Sequence, residues 1–163
     1  MSDDEIRDLA ERVLAQCRAK KLMLATAESC TGGLIAAALT NIAGSSDVVE
    51  RGFVTYSNRA KTELLRVPAA LIARVGAVSA EVAEAMVAGT LAHAPVELAV
   101  AVTGIAGPGG GTAEKAVGLV HLGIGRRGGA LRSEHHIFPG DRAAIRRAAV
   151  VRALQLLLEA AAA

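Results

Sequence analysis

The amino-acid sequence predicts an α/β fold. Short apolar runs typical of strands alternate along the chain with longer stretches whose apolar residues recur every three or four positions, as in helices. Two runs near the carboxyl end flank a tight turn at 126–129 and predict an antiparallel hairpin. The 163 residues are enough for one substantial core. We therefore expect a single domain over residues 1–163.

Each element has a local signal for where it begins or ends. Gly44 lies in a turn cluster that ends a helix, Pro68 suits the first position of another, and Ser79 and Asp141 are placed to cap two more. The periodicity predicts helices over 3–20, 34–42, 59–65, 68–75, 79–93 and 142–161. Strands are predicted over 22–26, 48–56, 97–102, 117–124 and 130–138. The Ala-rich tail after Glu159 is expected to fray.

Composition excludes several classes of function. The chain is 52% hydrophobic, has two Phe, one Tyr and no Trp, and carries a formal net charge of +2. Few rings are therefore present to stack on bases, and the charge is too small for a strongly electrostatic binder, which argues against a nucleic-acid polymer as partner. A small anionic ligand remains compatible with this composition.

The two cysteines and the amino-terminal residues indicate a cytoplasmic protein. Cys17 and Cys30 are too few for a disulfide framework and lack metal-ligand spacing, so we expect reduced thiols and no metal or cofactor. Cys17 falls on the apolar stripe of the first helix and is expected in the core. Residues 1–5 are acidic, unlike a signal peptide, and no apolar run is long enough for a membrane span, so no membrane partner is expected.

The stretch 25–33, Ala-Thr-Ala-Glu-Ser-Cys-Thr-Gly-Gly, places two potential nucleophiles at a strand-to-helix turn. Unpaired N–H groups at such a turn suit a developing oxyanion, so the amides of Cys30, Thr31 and Gly32 are candidates for an oxyanion hole. The alternative is that Ser29 or Thr31 only caps the helix.

Lys61 lies in the first turns of a helix that directly follows a strand. Positive charge is disfavoured at this end of a helix. One explanation is solvent exposure of the side chain. The other is that the local field, together with burial, lowers the pKa of Lys61 so that it acts as a base near neutral pH.

A glycine-rich loop follows the apolar strand over 97–102. Its ten residues, 103–112, contain five glycines, which suits close approach of the backbone to a ligand and an anion held by free N–H groups. The loop lacks the Gly-Lys-Ser/Thr ending of a Walker loop. A flexible linker and a hairpin turn are the structural alternatives.

Arg142 and Arg146 lie four residues apart at the start of the last helix, where cations are disfavoured. A bound anion would explain them, and the alternative is a pair of solvated side chains. His135 and His136 point to opposite faces of one strand, so they cannot share a metal ion.

Residues that could take part in catalysis or ligand binding follow three predicted strands. In open α/β sheets ligands bind at strand ends where connections diverge, so these residues are expected to share a pocket. They are Glu28, Ser29 and Cys30, then Tyr56, Ser57 and Lys61, and finally Thr103 with the glycine loop. This set suggests hydrolysis by a serine nucleophile with a lysine base.

At these residues the sequence resembles the CinA C-terminal domain family, the nicotinamide-nucleotide amidohydrolases. The matching motifs lie at 27–33, 52–58, 60–61, 76–79, 103–112 and 138–142, nearly the whole length of the chain. The resemblance implies a three-layer α/β/α sandwich with a mixed central sheet. It also implies deamidation of nicotinamide mononucleotide to nicotinate mononucleotide and ammonia in pyridine-nucleotide recycling, by a Ser-Lys pair that corresponds to Ser29 and Lys61.

The resemblance also suggests roles around the pair. Tyr56 and Thr103 would orient the substrate or the base, and Arg142 and the loop glycines would hold phosphate or ribose. The glycines concerned are Gly104, Gly107, Gly109 and Gly110. The family often has proline where this chain has Ala113 and Ala116, which would loosen the loop.

Two alternatives of other classes remain open. One is a catalytically silent nucleotide-binding domain, and the other is a hydrolase that depends on Cys30, with Ser29 as a helix cap. In many relatives the domain follows a larger one, and this chain is expected to be the stand-alone form. The sequence does not define the oligomeric state and is compatible with a homo-oligomer.

Overall fold

In the computed structural model, which describes residues 2–163, helices and strands alternate much as predicted. In chain order they are α1 (Asp3–Ala19), β1 (Leu24–Glu28), α2 (Leu34–Thr40), β2 (Val49–Val54), α3 (Asn58–Leu65), α4 (Ala69–Val75), α5 (Ala80–His93), β3 (Leu98–Gly104), β4 (Leu119–Arg126), β5 (Leu131–Ile137) and α6 (Arg142–Ala162). Across the described residues, no helix combines the length and the apolar character needed to cross a membrane.

The strands form one sheet in the order β2-β1-β3-β4-β5. β1 pairs in parallel with both β2 and β3, which places Glu28 beside Val54 on one side and Val102 on the other. β4 is antiparallel to β3 and to β5. The sheet is therefore mixed, as the family resemblance implied.

Alternation along β3 divides the core into two layers. Leu98, Val100 and Val102 face a cluster with residues of α1, α2 and α6. Ala99 and Ala101 face the opposite cluster, with residues of α3, α4 and α5. Because successive side chains of a strand point to opposite faces, both faces of the sheet are covered by helices. This confirms the three-layer α/β/α sandwich.

Glycines on one face of β4 allow α5 to pack close to the sheet. A Cβ added to Gly123 of β4 would lie 2.7 Å from the carbonyl oxygen of Ala83, and one added to Gly125 would lie 2.7 Å from a methyl group of Val87. The opposite face of β4 carries the larger Val120, Leu122 and Ile124. The two helical layers therefore pack at different depths against the same strand.

Gly89 has a similar role where α5 crosses α3. A Cβ at this position would lie 2.0 Å from the carbonyl oxygen of Leu65, which belongs to the backbone. We expect Gly89→Ala to lower the free energy of unfolding by about 3 kcal/mol, because the two helices must separate to accept the methyl group. Urea denaturation measures this change. Gly129→Ala is the control, since its added Cβ would have no neighbour closer than 3.5 Å, and equal midpoints for the two variants would refute this account.

The carboxyl end of α6 differs from the expectation of fraying. The helix continues to Ala162, and Ala161 is fully buried. Two cations bind its last carbonyl groups: Lys20 donates to the carbonyl oxygen of Ala162 at 2.9 Å, and Arg126 donates to that of Ala163 at 2.9 Å. Cations at a helix C-terminus satisfy otherwise unpaired carbonyl groups, which accounts for the ordered tail.

Candidate active site

A cleft opens at the carboxyl ends of the three parallel strands. The connection from β1 to β2 runs through α2 on one face of the sheet, and the connection from β2 to β3 runs through α3, α4 and α5 on the other. Such a divergence leaves a crevice at the strand ends. The cleft has a volume of about 280 Å³. It is lined by Ser29, Cys30, Tyr56, Gly104, Ile105, Ala106, Gly107, Gly109, Gly110 and Arg142.

Ser29 and Lys61 meet at this edge. Lys61 is only 1% exposed, and its Nζ donates a hydrogen bond to Ser29 Oγ at 2.9 Å. The same Nζ donates to the carbonyl oxygen of Thr55 at 3.0 Å, and Ser29 Oγ donates to that of Tyr56 at 3.3 Å. The alternative of a solvent-exposed Lys61 is therefore wrong. The lysine nitrogen is held within proton-transfer distance of the serine oxygen.

The surroundings of Lys61 favour its neutral form. Burial lowers the pKa of the Lys61 ammonium, and the nearby Cys30 offsets this only in part. Within residues 2–163, no carboxylate forms an ion pair with Lys61. Burial raises the pKa of the Cys30 thiol to about 11. The lowered pKa makes Lys61 easier to deprotonate than an exposed lysine, whereas the Cys30 thiol is protonated near neutral pH.

Glu28 organises the turn that carries Ser29. Its carboxylate is 1% exposed and accepts hydrogen bonds from Thr31 Oγ1 at 2.6 Å, from the amide of Ile35 at 2.9 Å and from the amide of Ala36 at 3.1 Å. Two amides in the first turn of α2, those of Ile35 and Ala36, are therefore bound by Glu28. This corrects the interpretation of Ser29 or Thr31 as the cap, since the N-cap position is Gly33 and has no side-chain bond.

Removing this carboxylate has a predictable cost. We expect Glu28→Ala to lower the free energy of unfolding by about 3 kcal/mol, because it leaves buried donors of Thr31, Ile35 and Ala36 without their acceptor. Glu28→Gln keeps one acceptor oxygen and should lose less. Guanidinium denaturation of both variants measures the difference, and equal stability of Glu28→Ala and wild type would contradict this role.

Two of the three expected oxyanion donors have no hydrogen-bond partner in another residue of 2–163. The amide of Gly32 donates to the carbonyl oxygen of Ser29 at 3.0 Å, so Gly32 is already engaged within the turn. The amides of Cys30 and Thr31 form no hydrogen bond with any other residue of 2–163. Only Cys30 lines the cleft, whereas Thr31 is fully buried. The amide of Cys30, which follows the serine, is best placed for an oxyanion.

The two arginines of α6 have separate roles. Arg142 donates to the Tyr56 hydroxyl at 3.0 Å and to the carbonyl oxygen of Gly107 at 2.8 Å, and it lines the cleft. Arg146 donates to the carbonyl oxygens of Cys30 at 3.0 Å and Thr31 at 3.2 Å. The expectation of a ligand anion between the two arginines is therefore wrong for Arg146, because its guanidinium binds the backbone of the turn between Ser29 and α2.

Thr103 lies outside the cleft. Its side chain is 1% exposed, and its hydroxyl donates to the carbonyl oxygen of Ala77 at 2.9 Å. Thr103 therefore ties β3 to the connection before α5. Sequence could not show this, because the partner carbonyl lies 26 residues earlier in the chain.

The glycine-rich segment is the long connection of a hairpin. Thr103 and Gly104 pair with His121 and Val120 across the antiparallel strands β3 and β4, so the linker alternative is wrong. Gly104 is the last residue of β3. Gly107 and Gly110 have φ angles of +78° and +90°, in the left-handed region that favours glycine. The loop that they allow lines the cleft opposite Ser29 and Cys30.

Comparisons with known proteins agree with this architecture. A family model described as the CinA C-terminal domain matches residues 6–161. The crystal structure of the competence/damage inducible protein CihA from Agrobacterium tumefaciens superposes with a TM-score of 0.94 at 49% identity, and the match covers 98% of this chain and 96% of that one.

Curated relatives include proteins of two lengths. Nicotinamide-nucleotide amidohydrolase PncC of Enterobacter agglomerans is 48% identical over 158 residues, which are 97% of this chain and 96% of that protein. The protein of the same name from Escherichia coli (strain K12) is 45% identical over 157 residues, which are 96% and 95% of the two chains. A CinA-like protein of Akkermansia muciniphila is 50% identical over 152 residues, and this chain spans 37% of its length. By the extent of these matches, the chain belongs to the CinA C-terminal domain family.

Proposed function

We propose that this chain is a nicotinamide-nucleotide amidohydrolase that converts nicotinamide mononucleotide and water into nicotinate mononucleotide and ammonia. The observation that carries the proposal is the 2.9 Å hydrogen bond between the buried Lys61 and Ser29, at the edge of a cleft. The names of relatives that share 45% and 48% identity over nearly all of their length support the substrate.

Acylation begins with neutral Lys61. Its nitrogen accepts the proton of Ser29 Oγ as that oxygen attacks the carboxamide carbon of the substrate. The carbonyl oxygen of the amide becomes an oxyanion and accepts a hydrogen bond from the amide of Cys30. The tetrahedral intermediate then collapses, the C–N bond breaks, and protonated Lys61 delivers its proton to the leaving nitrogen, which departs as ammonia.

Deacylation uses the same groups in reverse order. Water attacks the ester carbon of the acyl-enzyme while neutral Lys61 accepts one of its protons. When the C–O bond to Ser29 breaks, Lys61 returns a proton to the serine oxygen. The product is the carboxylic acid, so the net reaction consumes one water for each ammonia released.

Arg142 and the glycine-rich hairpin are proposed to hold the nucleotide portion. The Arg142 guanidinium lines the cleft and bridges Tyr56 and Gly107. A guanidinium and backbone amides are suitable donors for a phosphate or for ribose hydroxyls. The carboxamide would then reach Ser29 at the other side of the same cleft. In this role the enzyme returns the nicotinamide moiety to pyridine-nucleotide recycling.

Ammonia release tests the function directly. The purified chain is mixed with nicotinamide mononucleotide, ammonia is measured with a coupled assay, and nicotinate mononucleotide is identified by chromatography and mass spectrometry. We expect equal amounts of the two products. Calorimetric binding without turnover would instead favour a catalytically silent nucleotide-binding domain. Neither turnover nor binding would reject the proposed substrate.

A further inference from the structure

Arg146 holds the turn that follows the nucleophile. Its Nε donates to the carbonyl oxygen of Cys30 and its Nη2 to that of Thr31, at 3.0 and 3.2 Å. Arg146 belongs to α6, more than a hundred residues further along the chain. The contact joins an element of the rigid core to the short segment between Ser29 and α2, because neighbouring Ile145 and Ala149 are buried in the main core.

These bonds determine where the amides of the turn point. In a planar trans peptide the C=O and the N–H point in opposite directions. The peptide that follows Cys30 has its carbonyl on Arg146, so the amide of Thr31 points away from Arg146. The peptide that follows Ser29 has its carbonyl on the amide of Gly32, so the amide of Cys30 points out of the turn. The peptide that follows Thr31 also has its carbonyl on Arg146, so the amide of Gly32 points away from the arginine and donates to the carbonyl oxygen of Ser29. Arg146 therefore orients the Cys30 amide through Gly32.

Gly32 lies close to the Arg146 guanidinium. Its φ is +59°, in the left-handed region, and a Cβ added there would lie 3.3 Å from Nη2 of Arg146. The Glu28 carboxylate accepts hydrogen bonds from Thr31 Oγ1 of the same turn and from two amides in the first turn of α2. The turn is thus fixed by the Arg146 guanidinium, which binds its carbonyl oxygens, and by the Glu28 carboxylate, which binds its hydroxyl and amide donors.

We propose that Arg146 is a positioning residue that keeps the Cys30–Thr31 segment in the conformation that presents its oxyanion donor beside Ser29. The inference rests on the proposed function, because it assigns Arg146 a part in the same hydrolysis. Arg146 does not line the cleft and contacts the backbone of the turn. Its loss should therefore weaken stabilisation of the transition state more than binding of the substrate.

Steady-state kinetics of Arg146→Met with nicotinamide mononucleotide tests the inference. We expect kcat to fall by roughly 10- to 100-fold, since small displacements of catalytic donors have effects of this size, while KM changes little. Arg146→Lys keeps one donor and should recover part of kcat. Arg147→Met is the matched control, because Arg147 is the next residue of α6 and pairs with Asp3 on α1, so its kcat should equal that of wild type.

The pH dependence of kcat distinguishes a positioning role of Arg146 from a general loosening of the fold. The pKa of Lys61 is lowered by burial, so a loosened site would shift the midpoint of the kcat profile upward. We expect Arg146→Met to keep the wild-type midpoint with a lower plateau. An unchanged kcat in Arg146→Met would overturn the inference, and so would a shifted midpoint together with a KM that rises by the same factor as kcat falls. In either case, turnover by the wild type leaves the proposed function standing. A wild type that releases no ammonia would reject the proposed function itself.

Discussion

Ser29→Ala is expected to reduce kcat for ammonia release from nicotinamide mononucleotide by roughly 10⁶-fold, the loss seen when a catalytic serine is removed. In the proposed mechanism this substitution deletes the atom that forms the acyl-enzyme, and it removes the acceptor that lies 2.9 Å from Lys61 Nζ. Affinity for the substrate should remain, because Arg142 and the glycine-rich hairpin are untouched. Kinetic assays for kcat and calorimetry for the dissociation constant measure the two effects separately.

Cys30→Ala is the matched control for this experiment. Both side chains are nearly buried and adjacent in the turn, with Ser29 8% exposed and Cys30 7% exposed. Burial raises the pKa of Cys30 to about 11, so the thiolate needed for attack is scarce at neutral pH. The amide proposed to bind the oxyanion belongs to the backbone and survives the substitution. We therefore expect Cys30→Ala to retain most of the activity, and the reverse pattern would favour the cysteine-dependent hydrolase.

Local sequence predicted the elements of the site better than its contacts. The order of helices and strands follows from apolar periodicity and capping residues, and Asp141 caps α6 as expected, with its Oδ1 accepting from the amide of Ala144 at 2.9 Å. Ser29 and Lys61 are 32 residues apart. They meet because β1 and β2 pair in parallel, and this pairing depends on the whole core.

The contacts that the sequence does not indicate involve side chains whose partners are distant in the chain. Arg146 was expected at a ligand anion, yet its acceptors are backbone carbonyls 115 and 116 residues away. Thr103 is expected to orient the substrate or the base, and the sequence does not indicate that its hydroxyl donates to the carbonyl oxygen of Ala77. The sequence does contain a sign of the role of Glu28, because a lone carboxylate at the end of a buried apolar strand needs several hydrogen-bond donors. A structural role is therefore the first interpretation of such a residue, ahead of a catalytic one.

Lys61→Met should reduce kcat by about 10²- to 10⁴-fold, the usual contribution of a general base. In wild type, activity should rise with pH as Lys61 loses its proton, with a midpoint below the ordinary lysine pKa of 10.5, because burial lowers the pKa in the folded protein. The residual activity of the variant should lack this rise. A wild-type rate that is flat across the titration of Lys61 would count against the lysine as base.

The same substitution should change how stability depends on pH. The folded pKa of Lys61 lies below 10.5, so between the two values the unfolded chain binds more protons than the folded one. The free energy of unfolding of wild type should therefore rise with pH through this window, by up to about 1.4 kcal/mol for each pH unit. It should level off above 10.5.

Chemical denaturation of wild type and Lys61→Met at a series of pH values measures this contribution. Other titrating groups are common to both proteins, so their effects cancel in the difference between the two unfolding free energies. That difference should shift in favour of wild type as pH rises, because the methionine side chain carries no proton to release. A difference independent of pH would mean that Lys61 titrates as an ordinary exposed lysine. The burial that favours a neutral base thus also costs stability at neutral pH.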